Sequence, residues 1–299
     1  MHIMKLGVPK KERRKNMATF YNRATLSYNG GVVNSNTTSG ELLAPLSVTK
    51  TAIVDEYSDQ SEISYAVNIL NAGTVAVNGL TVLDDLGAYE YNATTYIPLD
   101  YIDGSVKYFV NGILQPTPAV TTVNGLQILA IDVPADGVAT LLYTTRVNSF
   151  APLDVGSSIE NNVTLTGDCA EGITDSQVIT VEEGIDLDIT KSLAPTTVTC
   201  PGNLSYTIEI SNNGNRATLA TDNVVVTDVF NPPIQNITVT YNGTPWTQPD
   251  DYSYDPVTGV FTSVIGAITV PAATYARDPE SGEWVTTQGS VSLVISGNL

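Results

Sequence analysis

Apolar and polar residues alternate in short segments along most of the chain, with turn signals between the segments. In "GLTVLDDLG" (79–87) and "IDLDITKSL" (185–193), every second residue belongs to one mainly apolar face. A period of two is that of a β-strand with one buried face. Asn-Gly and Pro residues separate the segments, and Val, Ile, Thr and Tyr are abundant, as in strands. The pattern predicts an all-β fold built from β-sandwiches.

The pattern is an internal repeat. "LSVTKTAIVDEYSDQSEISYAVNILNAG" (46–73) aligns without gaps with "LDITKSLAPTTVTCPGNLSYTIEISNNG" (187–214), which matches Lys50 with Lys191. Three further segment pairs follow in the same order: "GLTVLDDLG" with "NVVVTDVFN", "IDVPA" with "ITVPA", and "ATLLYTTRV" with "VSLVISGNL". A period of this length predicts two tandem immunoglobulin-like sandwiches, module one (46–183) and module two (184–299).

The two modules end differently. Module one runs on through "IENNVTLTG" and "SQVITVEE", whereas module two stops at Leu299 without such segments. A compatible pair, "FYNRATLSYNGG" and "SNTTSGELL", lies within residues 17–45 at the other end of the chain. We predict that this N-terminal donor hairpin completes module two of a neighbouring molecule, through an inward face formed by Phe20, Asn22, Ala24, Leu26 and Tyr28.

Strand addition of this kind does not close on itself, so it predicts a head-to-tail homopolymer. The alternatives are that residues 18–45 form an ordinary extra hairpin beside a complete second domain, or that the sequence is truncated.

Three polar side chains fall on the inward face of each completed module. In module one they are Lys50, Asp84 and Asn161, and in module two Lys191 and Asp228, with Asn22 supplied by the donor strand. A desolvated lysine is a nucleophile, and a buried aspartic acid can polarise a carboxamide and relay protons. The trio therefore predicts a Lys–Asn isopeptide bond, with Asp84 and Asp228 as catalytic residues. The alternatives are a buried Lys–Asp pair without reaction, or lysines that reach out to solvent.

The motifs resemble a known family. Thr49-Lys50, the "YxxxIxNxG" segments at 65–73 and 206–214, "VTD" at 226–228 and "NxVTLTG" at 161–167 are similar to an immunoglobulin-like conserved repeat. This domain-of-unknown-function family occurs in tandem in clostridial and bacillar cell-surface and spore-associated proteins. The resemblance implies surface or appendage architecture. The trio also resembles the self-crosslinking domains of Gram-positive pilins.

Charge excludes several classes of partner. The formal net charge is −18, and residues 17–299 hold seven of the 13 basic and 30 of the 31 acidic residues, a net −23. Such acidity argues against nucleic acid and anionic membranes as partners. No segment is apolar and long enough to span a bilayer, and no secretory signal peptide is recognisable. With the family resemblance, this predicts an extracellular or spore-surface location for a protein released by lysis of the mother cell.

The remaining signals are weaker. The basic residues 1–16 are either a disordered leader or lie upstream of a native start at Met17. Cys169 and Cys200 are expected to be free thiols or interchain bridges rather than an internal disulfide. No cofactor is predicted, because the only histidine is His2. The aspartates at 84–85, 100 with 103, and 250–251 are more typical of solvated turns than of a Ca²⁺ site.

Three functions compete. A self-assembling structural subunit accounts for the exchanged ends of the repeat. A surface adhesin that does not polymerise is the alternative, and its loops would contact a glycan or a protein. An enzyme is the least favoured, because no catalytic motif other than the self-crosslinking trio is present. An insertion around Trp284 is either a lateral contact or a hairpin that covers the sandwich.

Overall fold

The computed structural model of the protein describes residues 17–43, 45–199 and 202–299, so the basic leader, its start site and Cys200 lie outside the described residues. Within those ranges the regular elements are 28 β-strands and one short 3-10 helix at Ala220–Asp222. The predicted all-β fold, with two tandem sandwiches after a hairpin, is confirmed. No helix of the described part is long and apolar enough to cross a membrane.

The N-terminal hairpin is a pair of two-stranded sheets. Its strands are β1 (Met17–Asn22), β2 (Thr25–Tyr28), β3 (Gly31–Asn34) and β4 (Thr38–Leu43). β1 pairs with β4 and β2 pairs with β3, both antiparallel. Ala24, predicted as part of one continuous donor strand, lies between β1 and β2, so the strand is interrupted there.

Module one contains fourteen strands. They are β5 (Leu46–Ala52), β6 (Glu56–Tyr57), β7 (Glu62–Asn71), β8 (Val77–Asp84), β9 (Tyr89–Tyr91), β10 (Thr94–Tyr96), β11 (Leu99–Tyr101), β12 (Lys107–Val110), β13 (Ile113–Leu114), β14 (Val120–Thr121), β15 (Leu126–Val133), β16 (Gly137–Val147), β17 (Ser158–Thr166) and β18 (Thr174–Val181).

Two sheets enclose the core of module one. The first has the order β13-β12-β16-β7-β5, with β11 beside β16, and the second has the order β14-β15-β8-β17-β18-β6. Inward residues alternate along the central strands, as Tyr65, Val67 and Ile69 do on β7, and they are fully buried. Each such apolar side chain contributes about 1.5–3 kcal/mol by burial. β9 and β10 form a separate two-stranded hairpin.

Module two contains ten strands. They are β19 (Leu187–Ala194), β20 (Asn203–Asn212), β21 (Thr227–Val229), β22 (Gln235–Tyr241), β23 (Thr244–Trp246), β24 (Tyr252–Tyr254), β25 (Val260–Ser263), β26 (Thr274–Arg277), β27 (Trp284–Thr287) and β28 (Gly289–Asn298). A second apolar core, which includes Ile208, Phe261 and Leu293, lies between its sheets.

The first sheet of module two repeats that of module one strand for strand. Its order is β23-β22-β28-β20-β19, the counterpart of β13-β12-β16-β7-β5. The register repeats too, because Lys50 lies opposite Val67 and Lys191 opposite Ile208. The tandem alignment of the sequence is therefore also an alignment of the two folded modules.

The second sheets differ at one end. In module one, β8 is flanked by β15 on one side and by β17 and then β18 on the other. In module two, the counterpart sheet is β24-β25-β21, and in the described part of the chain it ends at β21. Among the described residues, module two places no strands where β17 and β18 close module one.

A buried asparagine stabilises the same turn in both modules. Asn71 Nδ2 donates to the carbonyl oxygens of Val133 and Pro134 at 3.2 and 3.0 Å, and its Oδ1 accepts from Gly73 N at 2.9 Å. Asn212 makes the matching bonds to Pro271 O at 3.1 Å and from Gly214 N at 2.9 Å. These bonds explain the repeated "NxG" of the sequence.

Candidate functional site

Lys50 enters the core of module one from an edge strand. On β5, Leu46, Val48 and Lys50 alternate with more exposed residues, and the Lys50 side chain is fully enclosed. β18 covers this edge, where the Lys50 amide donates to Asp175 Oδ2 at 2.7 Å. The closing strand of module one is therefore what removes Lys50 from solvent.

Asp84 accepts hydrogen bonds from three donors. Its Oδ2 lies 2.5 Å from Lys50 Nζ and also accepts from the Tyr143 hydroxyl. Its Oδ1 accepts from the Leu86 amide at 2.9 Å. Because Asp84 is on the second sheet and Lys50 on the first, the pair spans the core.

Asn161 lies on β17, the strand beside Asp84. Val163, two residues further on, is the register partner of Asp84. Asn161 is fully buried, and its Oδ1 accepts from the Gly87 amide at 3.2 Å. Its Nδ2 is buried and has no hydrogen-bond partner among the described residues. The carboxamide is thus held by its oxygen alone, with its nitrogen unpaired.

Two tyrosines form the walls of the site. Tyr65 and Tyr143 stack with ring centroids 5.7 Å apart, and Lys50 Nζ lies 4.8 Å from the centroid of Tyr65. Burial raises the pKa of both hydroxyls, and a contact with the Asn161 side chain partly opposes the rise in the pKa of Tyr65. Both tyrosines therefore remain protonated, and they place the lysine and the asparagine in one apolar pocket.

The environment favours the neutral amine of Lys50. Desolvation lowers its pKa below 10.5, while the charge and hydrogen bond of Asp84 act in the opposite direction. An amine, a carboxyl group and a primary amide, the three groups that take part in amide exchange, therefore lie in one buried site.

Module two has the same pair in an open setting. Lys191 Nζ forms an ion pair with Asp228 Oδ2 and lies 4.4 Å and 5.1 Å from the ring centroids of Tyr206 and Phe230. The Lys191 side chain is 39% exposed. On the same inward face of β19, Ile189 is 56% exposed, whereas its counterpart Val48 is 7% exposed.

The third predicted member, Asn22, is not at Lys191 in the single chain. It lies at the end of β1, where its side chain is exposed and makes no hydrogen bond with Lys191 in the described structure. The other predicted inward residues of the hairpin, Phe20, Ala24, Leu26 and Tyr28, are exposed as well.

The pairing of β1 with β4 nevertheless matches the pairing of β17 with β18, the two strands that close module one. Asn22 pairs with Thr38 as Asn161 pairs with Gln177, and Phe20 pairs with Gly40 as Ile159 pairs with Ile179. A constant shift of 139 positions relates the four pairs from Thr19–Glu41 to Asn22–Thr38 to the β17–β18 pairs from Ser158–Thr180 to Asn161–Gln177.

The sequence did not identify the tyrosines as site residues. Tyr65 and Tyr206 match in the alignment, which was the available signal. Tyr143 has no such signal, because its counterpart in module two is Ile295. Its contact with Asp84 depends on which strands face each other across the core.

Other candidates take part in local hydrogen bonds. Asp85 accepts from the Asn162 amide and side chain at 2.8 Å each, and Asp100 accepts from Asn148 at 2.9 Å. Asp251 accepts from the Thr247 amide at 2.8 Å. The described residues contain no group of three or more His, Cys, Asp or Glu side chains placed to hold a metal ion. Cys169 is a free, exposed thiol at the β17–β18 turn.

No protein-family model and no curated protein matches the sequence. Among solved structures, the chain is similar to the pilus backbone RrgB of Streptococcus pneumoniae, with 12% identity over 81% of this chain and 55% of that chain, at a TM-score of 0.33. The full-length RrgB structure has 12% identity and a TM-score of 0.33, over 89% of this chain and 45% of that one. The chain thus spans about half the length of the two RrgB chains.

A 35 kDa C-terminal fragment of the major pilin of Streptococcus agalactiae is similar over 82% of this chain and 91% of the fragment, with 13% identity and a TM-score of 0.32. These low TM-scores carry no argument about function.

Proposed function

We propose that the protein is a structural subunit of an extracellular or spore-surface filament, assembled head to tail by strand donation. Each chain inserts its hairpin, residues 17–45, into module two of the next chain. The observation that carries the proposal is that module two lacks the two strands that close module one, while an unattached hairpin of matching register lies at the N-terminus. No enzymatic activity is proposed apart from self-crosslinking.

The open side of module two is suited to accept strands. β21 has a free pairing edge in the described sheet, and Val229 on it is 64% exposed. Ile189 and Lys191 on β19 are also exposed, although their module-one counterparts are buried. An exposed strand edge beside apolar side chains is an unfavourable surface in an isolated protein and a favourable one for strand addition.

The hairpin is shaped like the missing strands. At the pair that corresponds to Ile159 and Ile179, the hairpin has Phe20 opposite Gly40. A Cβ on Gly40 would lie 2.3 Å from Phe20 Cζ, so the ring covers the glycine. One aromatic ring thus takes the place of two isoleucine side chains, which keeps an apolar surface of similar size.

Chain order favours donation to another molecule. In module one, only residues 182–186 separate β18 from β19 of the following module. Only residues 44–45 separate β4 from β5. A hairpin seated in module two would therefore lead directly into another module one, just as β18 leads directly into module two. Repetition of this connection gives an open filament.

The proposed reaction within module one balances as an amide exchange. The neutral Nζ of Lys50 attacks Cγ of Asn161, and Asp84 relays a proton from the attacking nitrogen to Nδ2. The bond between Cγ and Nδ2 breaks, an Nζ–Cγ amide remains, and one ammonia leaves. Burying an unpaired amide nitrogen costs about 1–3 kcal/mol, and the reaction removes the unpaired Nδ2 of Asn161.

In module two, the same reaction joins two chains. Lys191 and Asp228 belong to the accepting chain, and Asn22 corresponds in register to Asn161 and arrives with the donor hairpin. Insertion would also bury Lys191, as β17 and β18 bury Lys50. Strand donation and covalent linkage therefore use the same contact.

Electron microscopy of the purified full chain tests the assembly. Tyr21 corresponds in register to Glu160, which is exposed, and the same shift of 139 along the sequence places Leu26 at the position of Leu165, which is buried. We expect filaments from the parent and from the matched control Tyr21→Glu, and monomers from Leu26→Asp. Filaments from Leu26→Asp would contradict donation through this face, and a monomeric parent would favour the adhesin.

A further inference from the structure

Each module carries one insertion that the other lacks. Residues 273–290 of module two, between the aligned "ITVPA" and "VSLVISGNL", replace the three residues 136–138 of module one, and they form β26 and β27. The sequence also aligns "YFVNG" (108–112) with "VTYNG" (239–243). Module one has 20 residues between "GLTVLDDLG" and "YFVNG", and they include β9 and β10, whereas module two has seven between "NVVVTDVFN" and "VTYNG". We call these insertions the arm (273–290) and the cage hairpin (89–96).

The arm places one arginine among aromatic rings of module one. The guanidinium carbon of Arg277 lies 5.1, 4.4 and 5.1 Å from the ring centroids of Tyr89, Tyr91 and Tyr96. Trp284, across the arm, lies 5.0 Å from the same carbon. Four rings at this distance make a strong cation–π site, particularly where water is excluded. Arg277 Nη1 and Trp284 Nε1 are both buried.

Directed hydrogen bonds support the same contact. Arg277 Nη2 donates to the Tyr89 hydroxyl at 2.6 Å, and that hydroxyl donates to Phe150 O at 2.6 Å. The Trp284 amide donates to Ser149 O at 2.8 Å, and Ser149 Oγ donates to Glu283 at 3.0 Å. The contact therefore fixes the direction of the arm as well as its position.

The tip of the arm is shaped for a close approach. Gly282 has a φ of +78°, and a Cβ at this position would lie 2.2 Å from Tyr96 Cε1. Only glycine fits against that ring. Asp278 holds the turn by accepting from the amides of Glu280 and Ser281 at 2.8 Å each.

We infer that the arm and the cage hairpin form a lock that fixes the joint between module one and module two of the same chain. A chain locked in this way is a single stiff unit, which keeps its donor hairpin from reaching its own module two. The role of the lock in keeping the donor hairpin out of its own module two rests on the proposed function. At the joint between successive chains the order of the modules is reversed. There module two, which has no cage hairpin, would precede module one, which has no arm, so the lock cannot form.

The stiffness of the joint can be measured on chains that do not assemble. In a Leu26→Asp, Cys200→Ser background, spin labels are attached to Cys169 in module one and to Val257→Cys in module two, two exposed turn positions. Pulsed electron–electron double resonance then reports the distribution of distances between the two spin labels. We expect one narrow distance, which Arg277→Ala broadens.

Two further variants keep this result interpretable. Tyr91→Ala removes one of the aromatic rings that module one places around Arg277, and it should broaden the distances in the same way. Arg146→Ala removes a surface ion pair with Glu62 that involves no residue of the arm or of the cage hairpin, and it should leave the distances narrow. A distribution that is broad in the parent, or equally narrow in Arg277→Ala and Tyr91→Ala, would overturn the lock.

The assembly of chains with an intact donor hairpin tests whether the lock prevents insertion into the same chain. With the donor hairpin intact, we expect Arg277→Ala to yield closed rings or self-completed monomers by native mass spectrometry, where the parent yields open filaments. Open filaments of unchanged length from Arg277→Ala would overturn the role in preventing closure. A parent that does not assemble would refute the proposed function and this role together, while the label distances would still decide whether the joint is stiff.

Discussion

Lys50 and Lys191 occupy the same register position of the repeat in different environments. Both contact an aspartate on the facing sheet and an aromatic ring from the neighbouring strand. The Lys50 side chain is enclosed, and that of Lys191 is open to solvent. The described part of module two contains no counterparts of β17 and β18, the strands that cover Lys50 in module one, and this accounts for the difference. The two sites are therefore one Lys–Asp arrangement, enclosed in module one and exposed in module two.

The lowered pKa of Lys50 predicts a pH dependence of stability. Between that lowered pKa and the ordinary value of 10.5, the unfolded chain binds a proton that the folded chain does not. The free energy of unfolding should therefore rise with pH in this window. We expect Asn161→Ala, which retains Lys50 but cannot crosslink, to gain stability relative to Asn161→Ala/Lys50→Met as pH rises toward 10.5. Urea denaturation at several pH values measures the difference, and a constant difference would contradict the assignment.

The turn asparagines should be equally important in the two modules. Asn71→Ala would remove the hydrogen-bond partner of the Gly73 amide and of three carbonyl groups, those of Val75, Val133 and Pro134, at a cost of about 2–3 kcal/mol in the free energy of unfolding. Asn212→Ala should cost a similar amount in module two. Denaturant unfolding measures both, with the exposed Asn78→Ala as the control. A loss no larger than that of the control would contradict the role of these bonds.

Strand alternation was sufficient to place Lys50, Asp84 and Asn161 on the inner face, because a period of two decides the side of a sheet. It could not identify Tyr143. That residue is one of many inward residues on β16, and its hydroxyl reaches Asp84 only because β16 and β8 face each other across the core. Contacts across a core depend on packing of the two sheets, which a pattern along one strand does not contain.

At the scale of elements, the hairpin shows that a strand with a pairing partner on one side only can lose its continuity. The sequence predicted one donor strand through Ala24, but β1 ends at Asn22 and β2 begins at Thr25. The corresponding stretch of β17 is continuous, because β8 pairs with it on one side and β18 on the other. We expect β1 and β2 to become continuous when the hairpin pairs with β21.

The Phe20–Gly40 pair predicts the effect of filling the glycine position. Gly40→Val would place side-chain atoms where the Phe20 ring lies and would force the ring off the inward face. Overpacking of this kind costs about 1–3 kcal/mol, so assembly should weaken by roughly tenfold or more. Sedimentation of filaments over a range of protein concentrations measures the change. An unchanged critical concentration would show that the pair does not enter the groove.

At the scale of the whole molecule, charge should control how filaments associate. Residues 17–299 carry a net charge of −23, so neighbouring filaments repel each other at low ionic strength. Screening shortens this repulsion to about 10 Å at 0.1 M salt. We expect lateral bundles to increase with salt, as measured by light scattering and electron microscopy. Bundling that is equal at all salt concentrations would contradict an electrostatic barrier.

The repeat, the missing closing strands and the acidic body could be predicted from the sequence, because each follows from local pattern or composition. The lock between the modules could not. The insertion around Trp284 was visible, but its contact with Tyr91 joins residues about 190 positions apart in the chain. Only the arrangement of the two modules brings the arm to the cage hairpin.

The central claim is that the hairpin of one chain completes and crosslinks module two of another, and two variants test it most directly. Lys191→Ala retains a donor hairpin with Asn22 but cannot form the bond in its own module two. Leu26→Asp retains Lys191 and Asp228 but cannot donate. Each variant alone should run as a monomer after boiling in detergent with reductant, which excludes disulfides of Cys169 or Cys200.

Mixed, the two variants should give a covalent heterodimer whose intact mass is the sum of the measured masses of the two monomers less one further ammonia, and whose crosslinked peptide joins Asn22 to Lys191. Replacing Asn22 by Ala in the first variant should abolish the dimer, whereas Lys50→Ala in the second should not. A mixture that remains wholly monomeric under these conditions, while the filaments of the parent also dissolve to monomers, would contradict the covalent link between chains.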